Sequence, residues 1–392
     1  MYLTKDEEEF LNGEKGEVIE RMFRLLVNLG DIYNANKMIP VGSVQVAGVS
    51  YKSIGDPGTE FLEDMANKGA KVKVLTFLNP AGMDLENWKE LGFPKDFAKN
   101  QLRIMDAFKK MGIVVTSTCT PYLAGNLPRF REHIAWSESS AVSFSNSVIG
   151  ARTNREGGPS ALAAAICGVT PNYGLHIWEN RQPEIKIKVD AELSFSSDFG
   201  ALGWYIGKQV KNKIPYFTGI KDVNTDQLKA LGAAMAASGA VALYHIEGLT
   251  PEADLVKTKV LETINVGKKE IKETYEKLNT GKKPDIIIFG CPHASLHEIS
   301  NLAGILSGKK LKKPVWICTS RMVKEAAERM GYNKIIKNAG GSVVADTCMV
   351  VSPIEEMGYK TTGVNSGKAA NYLPGFCKQN VCFANIDDLI KE

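Results

Sequence analysis

DIIIFGCPHASLHE, residues 285–298, passes from an apolar β-type run through a Gly-Cys-Pro turn into a segment whose Ser295 can cap a helix. The same order recurs twice. IVVTSTCTPY (113–122) and SVVADTCMVV (342–351) also end a short apolar run on a cysteine, so that Cys119, Cys291 and Cys348 each open a polar turn. Parallel strands of an open α/β sheet present their carboxyl ends on one edge, where ligands and cofactors usually bind. Three thiolates delivered there could hold an iron–sulfur cluster.

Outward from these turns, strand and helix patterns alternate along the chain. An amphipathic segment spans 17–29, and a strand near 44–46 leads through GVSYKSIGDPG (48–58) into a helix from about Thr59 to Gly69. The run KVKVLTF (71–77) leads to Asn79-Pro80, and a helix over 96–111 stops at Gly112. Helices over 226–237 and 268–278 precede the runs AVALYHI (240–246) and DIIIF (285–289), and VWI (315–317) runs into Cys318. This rhythm predicts an α/β architecture with mostly parallel sheets and right-handed crossovers. The segment 136–215, rich in Ser, Asn, Gly and Arg, is expected to form loops over the site. A composition shift at 211–215 gives the best boundary. It divides the chain into 1–212, with the first cysteine and the substrate loops, and 213–392, with the other two cysteines.

At 392 residues the chain is long for one core. Its 44% hydrophobic and 23% charged residues describe an ordinary globular protein. The net charge of +4 is spread rather than clustered, which argues against a nucleic-acid partner. In MYLTKDEEEFLNG at the N-terminus, Thr4 caps acids in a first helical turn, the pattern of a helix and not of a signal peptide. The most apolar window, 233–246, is too short to span a bilayer, so no membrane association and a cytoplasmic location are expected. Seven widely spaced cysteines with no CxxC pair argue against a disulfide framework or a zinc ribbon. GxSxG and a P-loop are absent.

Most intracellular cysteines are inert filler; Cys167, Cys377 and Cys382 read that way, and Cys318, at the end of its own strand, is ambiguous. Three cysteine ligands on a four-iron cluster would leave one iron open to act as a Lewis acid on a substrate hydroxyl. A zinc site using Cys291 and His293 is an alternative from the same residues. IAWSESSAVSFSNSVIGARTNREGG (134–158) gathers groups suited to anionic, oxygen-rich molecules. There Glu138 can act as acid, base or orienting group, Ser139, Asn146 and Ser147 can hydrogen-bond, and Arg152 or Arg155 can fork onto a carboxylate or phosphate. A solvated loop is the alternative, which the interleaved Trp136 and Phe144 oppose. Gly48, Val49 and Ser50, like Asn79 and Pro80, follow strands and would reach the same edge. Gly48 lets the backbone approach an anion, and Ser50 and Asn79 can add donors, although a plain strand-to-helix turn is the simpler reading. Lys368 in NSGKAANY (365–372) can neutralise a phosphate or carboxylate, or simply be exposed.

Taken in order, CTPY (119–122), IAWSES (134–139), NSVIGARTNREGG (146–158), YGLH (173–176), GLTPEA (248–253), GCPHASLHE (290–298), TSR (319–321), DTCMVV (346–351) and NSGKAANY (365–372) closely resemble the aconitase X family. The resemblance implies an aconitase-like multi-domain architecture, three α/β domains around a cluster-binding cleft, closed by a smaller swivelling domain. It further implies an iron–sulfur hydro-lyase, with Cys119, Cys291 and Cys348 on the family's three ligand positions for a [4Fe-4S] cluster. Family members divide by substrate. Bacterial forms dehydrate cis-3-hydroxy-L-proline, and an archaeal two-subunit form dehydrates (R)-5-phosphomevalonate to trans-anhydromevalonate 5-phosphate in a modified mevalonate pathway to isoprenoids. The chain stops at Glu392, soon after the last motif, so the swivelling domain is expected on a separate small subunit in a heterodimer.

Bacterial members carry His-Val-Asp where this chain has Gln45-Val46-Ala47, and Asn where it has Ser140. Both changes lie near the expected substrate and speak against hydroxyproline activity. The implied base is a serine of the swivelling domain, with Glu138 as the candidate on this chain. Loop position and chemical type place Glu138 and Ser139 near the reacting carbons, Gly48, Val49, Ser50, Asn79 and Pro80 against the substrate, and Lys368 and Arg152 as charge-offsetting groups. Two alternatives stay open: a cis-3-hydroxy-L-proline dehydratase, and a non-catalytic metal-binding subunit.

Overall fold

The structure, a computed structural model, describes residues 1–258 and 261–391; Lys259, Val260 and Glu392, the last residue of the expected second part, lie outside them. Short apolar strands separated by capped helices give three parallel sheets in succession. The first unit runs α1 (Lys5–Leu11), α2 (Glu17–Ile32), β1 (Met38–Pro40), β2 (Ser43–Val46), α3 (Tyr51–Asn67), β3 (Leu75–Leu78), α4 (Lys95–Lys110), β4 (Val114–Ser117), β5 (Ala135–Trp136), α5 (Ser139–Phe144), α6 (Gly158–Cys167) and β6 (Val169–Pro171). Its sheet has the order β4-β3-β2-β5 with every pair parallel, and β1 and β6 form a separate antiparallel ribbon. Thr4 caps α1 as the sequence predicts, its hydroxyl accepting from the Glu7 N–H while Glu7 accepts from the Thr4 N–H.

The second unit comprises β7 (Ile185–Val189), α7 (Ser196–Val210), β8 (Pro215–Thr218), α8 (Thr225–Gly239), β9 (His245–Ile246), β10 (Thr263–Val266) and α9 (Lys268–Leu278), with the parallel order β10-β7-β8-β9. The third comprises β11 (Ile286–Phe289), α10 (Leu296–Leu306), β12 (Val315–Thr319), α11 (Arg321–Arg329), α12 (Tyr332–Ala339), β13 (Gly341–Ala345), β14 (Thr361–Val364), α13 (Gly367–Cys377), β15 (Asn380–Phe383) and α14 (Ile386–Lys391). Its order, β13-β12-β11-β14-β15, is again all parallel. Among the described residues no helix is long and apolar enough to cross a membrane.

Three expectations meet a different outcome. The junction at 212/213 falls between α7 and β8, inside the middle sheet; Lys211, at φ +55°, caps α7 and Pro215 opens β8, so the composition shift marks a helix-to-strand turn. The sheets change over between β6 and β7 and between α9 and β11. The segment 136–215 is largely regular, holding α5, α6, β7 and α7, because helices built from small residues and buried on all sides, such as α6, show no amphipathic period. Of AVALYHI only the last two residues pair as a strand, since Ala240 takes a left-handed conformation to end α8.

One core is shared by the second and third units, with Ile187, Phe217 and Leu231 packed in the same cluster as Ile286, Ile288, Val364 and Phe383. Each such side chain contributes roughly 1.5–3 kcal/mol on burial. Helices α7 and α8 approach backbone to backbone: a Cβ on Gly239 would sit 2.7 Å from the Gly207 Cα and closer still to its carbonyl. Gly239→Ala should therefore lower the unfolding free energy by about 1–3 kcal/mol in a denaturant titration, because backbone atoms cannot rotate out of the way. Buried Arg181 ties the first unit to the second, donating to the Asn146 and Ala151 carbonyls at 3.1 Å and pairing with Glu252 at 2.8 Å.

In an open parallel sheet, strands that leave the first strand in opposite directions open a crevice at their carboxyl ends. The first sheet has this switch between β2 and β5, and the third has it between β11 and β14. Residues 47–50 and Glu138 follow the first pair; Cys291 and Lys368 follow the second.

Candidate active site

Backbone pairing joins the two sheet edges. Ala81, beyond β3, forms a parallel bridge with Thr347, its N–H donating to the Asp346 carbonyl at 2.8 Å while the Cys348 N–H donates to the Ala81 carbonyl at 3.0 Å. Cys119 after β4, Cys291 after β11 and Cys348 after β13 thus enter one neighbourhood. Gly290 makes the β11 turn possible: it has φ +88°, and a Cβ there would meet the Cys318 backbone. Burial pushes all three thiols up, Cys291 to about 12, while the Lys368 ammonium draws each of them back down. The three thiols, from two sheets, all lie within electrostatic reach of this one cation.

Lys368 starts α13 and is buried. Its ammonium pairs with the Glu138 carboxylate and donates to the Ser140 hydroxyl at 3.1 Å. Glu138 is itself the N-cap of α5: its carboxylate accepts from the Ala141 N–H at 2.8 Å and from the Ser140 hydroxyl at 2.5 Å. Burial opposes the Glu138 charge, but Lys368 and these donors outweigh it and hold the carboxyl below its ordinary range. Burial likewise opposes the Lys368 charge, and Glu138 and the thiols outweigh it, raising the ammonium above the usual lysine range. The pair is ionised, and its carboxylate is a weak base.

Buried His293 lies among the cysteine turns, and burial lowers its pKa to about 4, so the ring is neutral. Its backbone N–H donates to Cys119 Sγ at 3.1 Å; Nδ1 lies 3.0 Å from the Thr118 hydroxyl and Nε2 2.8 Å from the Thr347 carbonyl. Both ring nitrogens are engaged, which removes His293 as a zinc ligand. Among the described residues no three His, Cys, Asp or Glu side chains converge on a single-ion position. A cluster, whose ligands attach to separate iron atoms, asks for thiols spread around a volume, and three largely buried thiols with an N–H donor to sulfur fit that requirement. Gln45 Oε1, Asn79 Oδ1, Ser117 Oγ and Tyr122 OH, all on the strand ends or turns of this edge, are buried without a hydrogen-bond partner. These atoms have hydrogen-bonding capacity left for a polar ligand.

The other expected residues divide. Asn79 and Ser139 are half-buried at the edge, and Gly48 turns there with φ +79°. Pro80 is buried beside them. Ser50 spends its proton on the Val351 carbonyl at 2.8 Å and caps α3, and the Val49 carbonyl accepts from Gln101 at 2.8 Å, so both brace the loop. Arg152 is not brought to the thiols: it donates to the His176 carbonyl at 3.3 Å, and its backbone bridges His133. The chain reverses at Gly150, φ +75°, which carries Arg152 away from Glu138 despite their closeness in sequence. Arg155 is exposed, while Asn146 and Ser147 hold backbone groups of Thr153 and Tyr244. Of the candidates in 134–158, Asn146, Ser147 and Arg152 thus hold backbone groups of the fold. Sequence also gave no sign of Lys229, buried on α8, which donates to the His293 carbonyl at 3.1 Å and pairs with Asp226 and Glu298.

Fold and site together define a multi-domain α/β protein whose parallel sheets converge on a buried centre of three thiols and a lysine–glutamate pair. Three family profiles match in order: aconitase X first domain over residues 1–179, second domain over 183–276 and third domain over 284–392. The chain belongs to the aconitase X family. It is 59% identical over 402 residues to the phosphomevalonate dehydratase large subunit of Methanocaldococcus jannaschii, covering 100% of both chains. To the cis-3-hydroxy-L-proline dehydratase of Pseudomonas aeruginosa it is 32% identical, covering 97% of this chain and 68% of that protein. The crystal structure of Thermococcus kodakaraensis aconitase X in its holo-form superposes with a TM-score of 0.95 at 49% identity, covering 100% of both chains. The α/β reading with mostly parallel sheets and the family resemblance are both borne out.

Proposed function

We propose that this chain is the large subunit of an iron–sulfur hydro-lyase that removes water across C2–C3 of (R)-5-phosphomevalonate, giving trans-anhydromevalonate 5-phosphate. The observation that carries the substrate is the match over the whole length of a protein named phosphomevalonate dehydratase large subunit, at 59% identity against 32% for the hydroxyproline enzyme. The three converging thiols support Cys119, Cys291 and Cys348 as ligands of a [4Fe-4S] cluster. When bound, such a cluster supplies an iron with an open position, a Lewis acid that eases departure of a hydroxyl group.

The chain's own residues hold and orient. Gly48, Asn79, Pro80 and Ser139 line the edge where substrate would sit, with Val49 and Ser50 fixing the loop that carries Gly48. Lys368 contributes a positive field to the thiolates and the anionic substrate, and Glu138 holds that ammonium in place. A carboxylate already bonded by Lys368, Ser140 and the Ala141 N–H is poorly suited to take the C2 proton. The base is therefore assigned to the partner small subunit that the relatives' name implies, on a domain that closes the site against water.

The test is a dehydration assay of the anaerobically reconstituted chain, with and without its small subunit, on phosphomevalonate and cis-3-hydroxy-L-proline in parallel. Only the two-chain sample should turn over, and only with phosphomevalonate. Turnover of hydroxyproline alone would overturn the substrate. Turnover by this chain with no second protein detectable by mass spectrometry would return the base to it.

A further inference from the structure

We infer that His293 is a positioning residue that locks the three cysteine-bearing turns into one register, an inference that rests on the cluster reading above. A carbonyl oxygen can only accept, so the 2.8 Å contact with Thr347 puts the ring proton on Nε2. The other ring nitrogen, Nδ1, lies 3.0 Å from the Thr118 hydroxyl. Thr118 Oγ1 also accepts from the Thr120 N–H and lies against the Thr120 hydroxyl, both at 3.1 Å. A continuous run of hydrogen bonds thus links Thr120 to Thr347 through the ring.

The partners are what separate this from an ordinary buried histidine. Thr118 directly precedes Cys119, and Thr347 directly precedes Cys348. His293 itself follows Cys291 by two residues, and its backbone N–H reaches Cys119 Sγ. One side chain therefore spans the turns of both sheets, and Lys229 anchors its carbonyl from the second unit. Strand ends from separate sheets have no covalent reason to keep a common spacing. This ring supplies one, as groups behind the ligands do in other metal sites.

Iron and sulfide per chain, the rate of iron loss to a chelator and the electron paramagnetic resonance spectrum are to be measured on anaerobically reconstituted wild type, His293→Ala, His293→Gln and Thr118→Val. His293→Ala should lose iron about 10–100-fold faster. Thr118→Val exchanges a hydroxyl for a methyl of similar volume and removes the Nδ1 bond together with the two bonds between Thr118 Oγ1 and Thr120. It should release iron about tenfold faster with an altered spectrum and a lowered melting temperature, so the spectrum and the iron release decide the reading; His293→Gln, able to keep one of the two ring bonds and leaving Thr118 and Thr120 intact, should show the same spectral change to a smaller degree. A merely structural histidine would lower the melting temperature without moving the spectrum. If His293→Ala does not fold, Thr118→Val carries the test. Wild type that takes up no iron or sulfide would sink the cluster reading and this role with it. Loaded wild type with Thr118→Val and His293→Gln matching it in release and spectrum would overturn the role while leaving the cluster intact.

Discussion

Replacing Cys119, Cys291 or Cys348 by Ser, one at a time, should strip most of the iron and sulfide from the chain and abolish dehydration by the two-chain enzyme. Serine keeps the volume but offers an oxygen that stays protonated at neutral pH, whereas iron is held by thiolate. Losing a Lewis acid worth several kcal/mol to the departing hydroxyl corresponds to about a thousandfold or more in turnover. The controls are Cys167→Ala and Cys318→Ala. Cys167 is buried at the end of α6 in the first unit's core, far along the chain from any of the three turns. Cys318 is the harder case: it is fully buried on β12, and the Cys291 and Cys348 thiols act on it electrostatically. Its sulfur accepts from the backbone of Met349 and packs in the apolar core, so it should behave as filler and its alanine variant should keep the cluster. Full iron content in all three serine variants would sink the ligand assignment; loss of iron in Cys318→Ala would enlarge it to four.

The parallel sheets and the three cysteine turns were legible because strand ends in this architecture are written locally. An apolar run, a glycine or threonine, a cysteine and a capping residue such as Ser295 all sit within a dozen positions. What joins those ends was not legible. The bridge from Ala81 to Thr347 and the pairing of Glu138 with Lys368 connect residues more than two hundred positions apart; Glu138 and Lys368 each stand out locally, but nothing local says that they meet. Arg152 shows the converse error. Closeness in sequence to Glu138 suggested a shared site, yet one left-handed glycine sends the chain back toward His133 and His176. Sheet boundaries were misread at 212/213 for a related reason: the shift in composition there reflects the end of α7, and the apolar faces on both sides of it belong to one core. His293 could have been weighed differently from sequence alone, since threonines flank two of the three cysteines and offer an imidazole both a donor and an acceptor.

Lys368→Met should cost about 3–5 kcal/mol of stability at neutral pH, because it leaves the Glu138 carboxylate buried without its cation. The dependence on pH should change sign with it. In the wild type the folded pKa of Glu138 is depressed, so its contribution is present above the ordinary carboxylate pKa and lost only as pH falls through the lower folded value. Lys368 is raised, so its contribution is complete below the ordinary lysine pKa and lost only as pH climbs through the higher folded value. Across neutral pH the pair therefore gives a flat profile. Without the lysine, burial, the largest influence on Glu138, is opposed only by the Ser140 hydroxyl and the Ala141 N–H and should push the carboxyl above the unfolded value, so stability should now decline as pH rises through the neutral range. Denaturant titrations of both proteins at several pH values measure this directly, and a flat profile for the variant would show that Glu138 has found another cation. Lys368→Met combined with Glu138→Gln should recover most of the stability, since replacing both members of a buried pair is far less costly than removing one. It should not recover the cluster or the activity. The ammonium also acts electrostatically on Cys119 and Cys291, and thiolates binding one cluster with no cation beside them repel one another. A double variant that is stable, iron-poor and inactive would separate the two tasks of Lys368, neutralising Glu138 and gathering the thiolates; one that is stable and fully active would reduce Lys368 to the first.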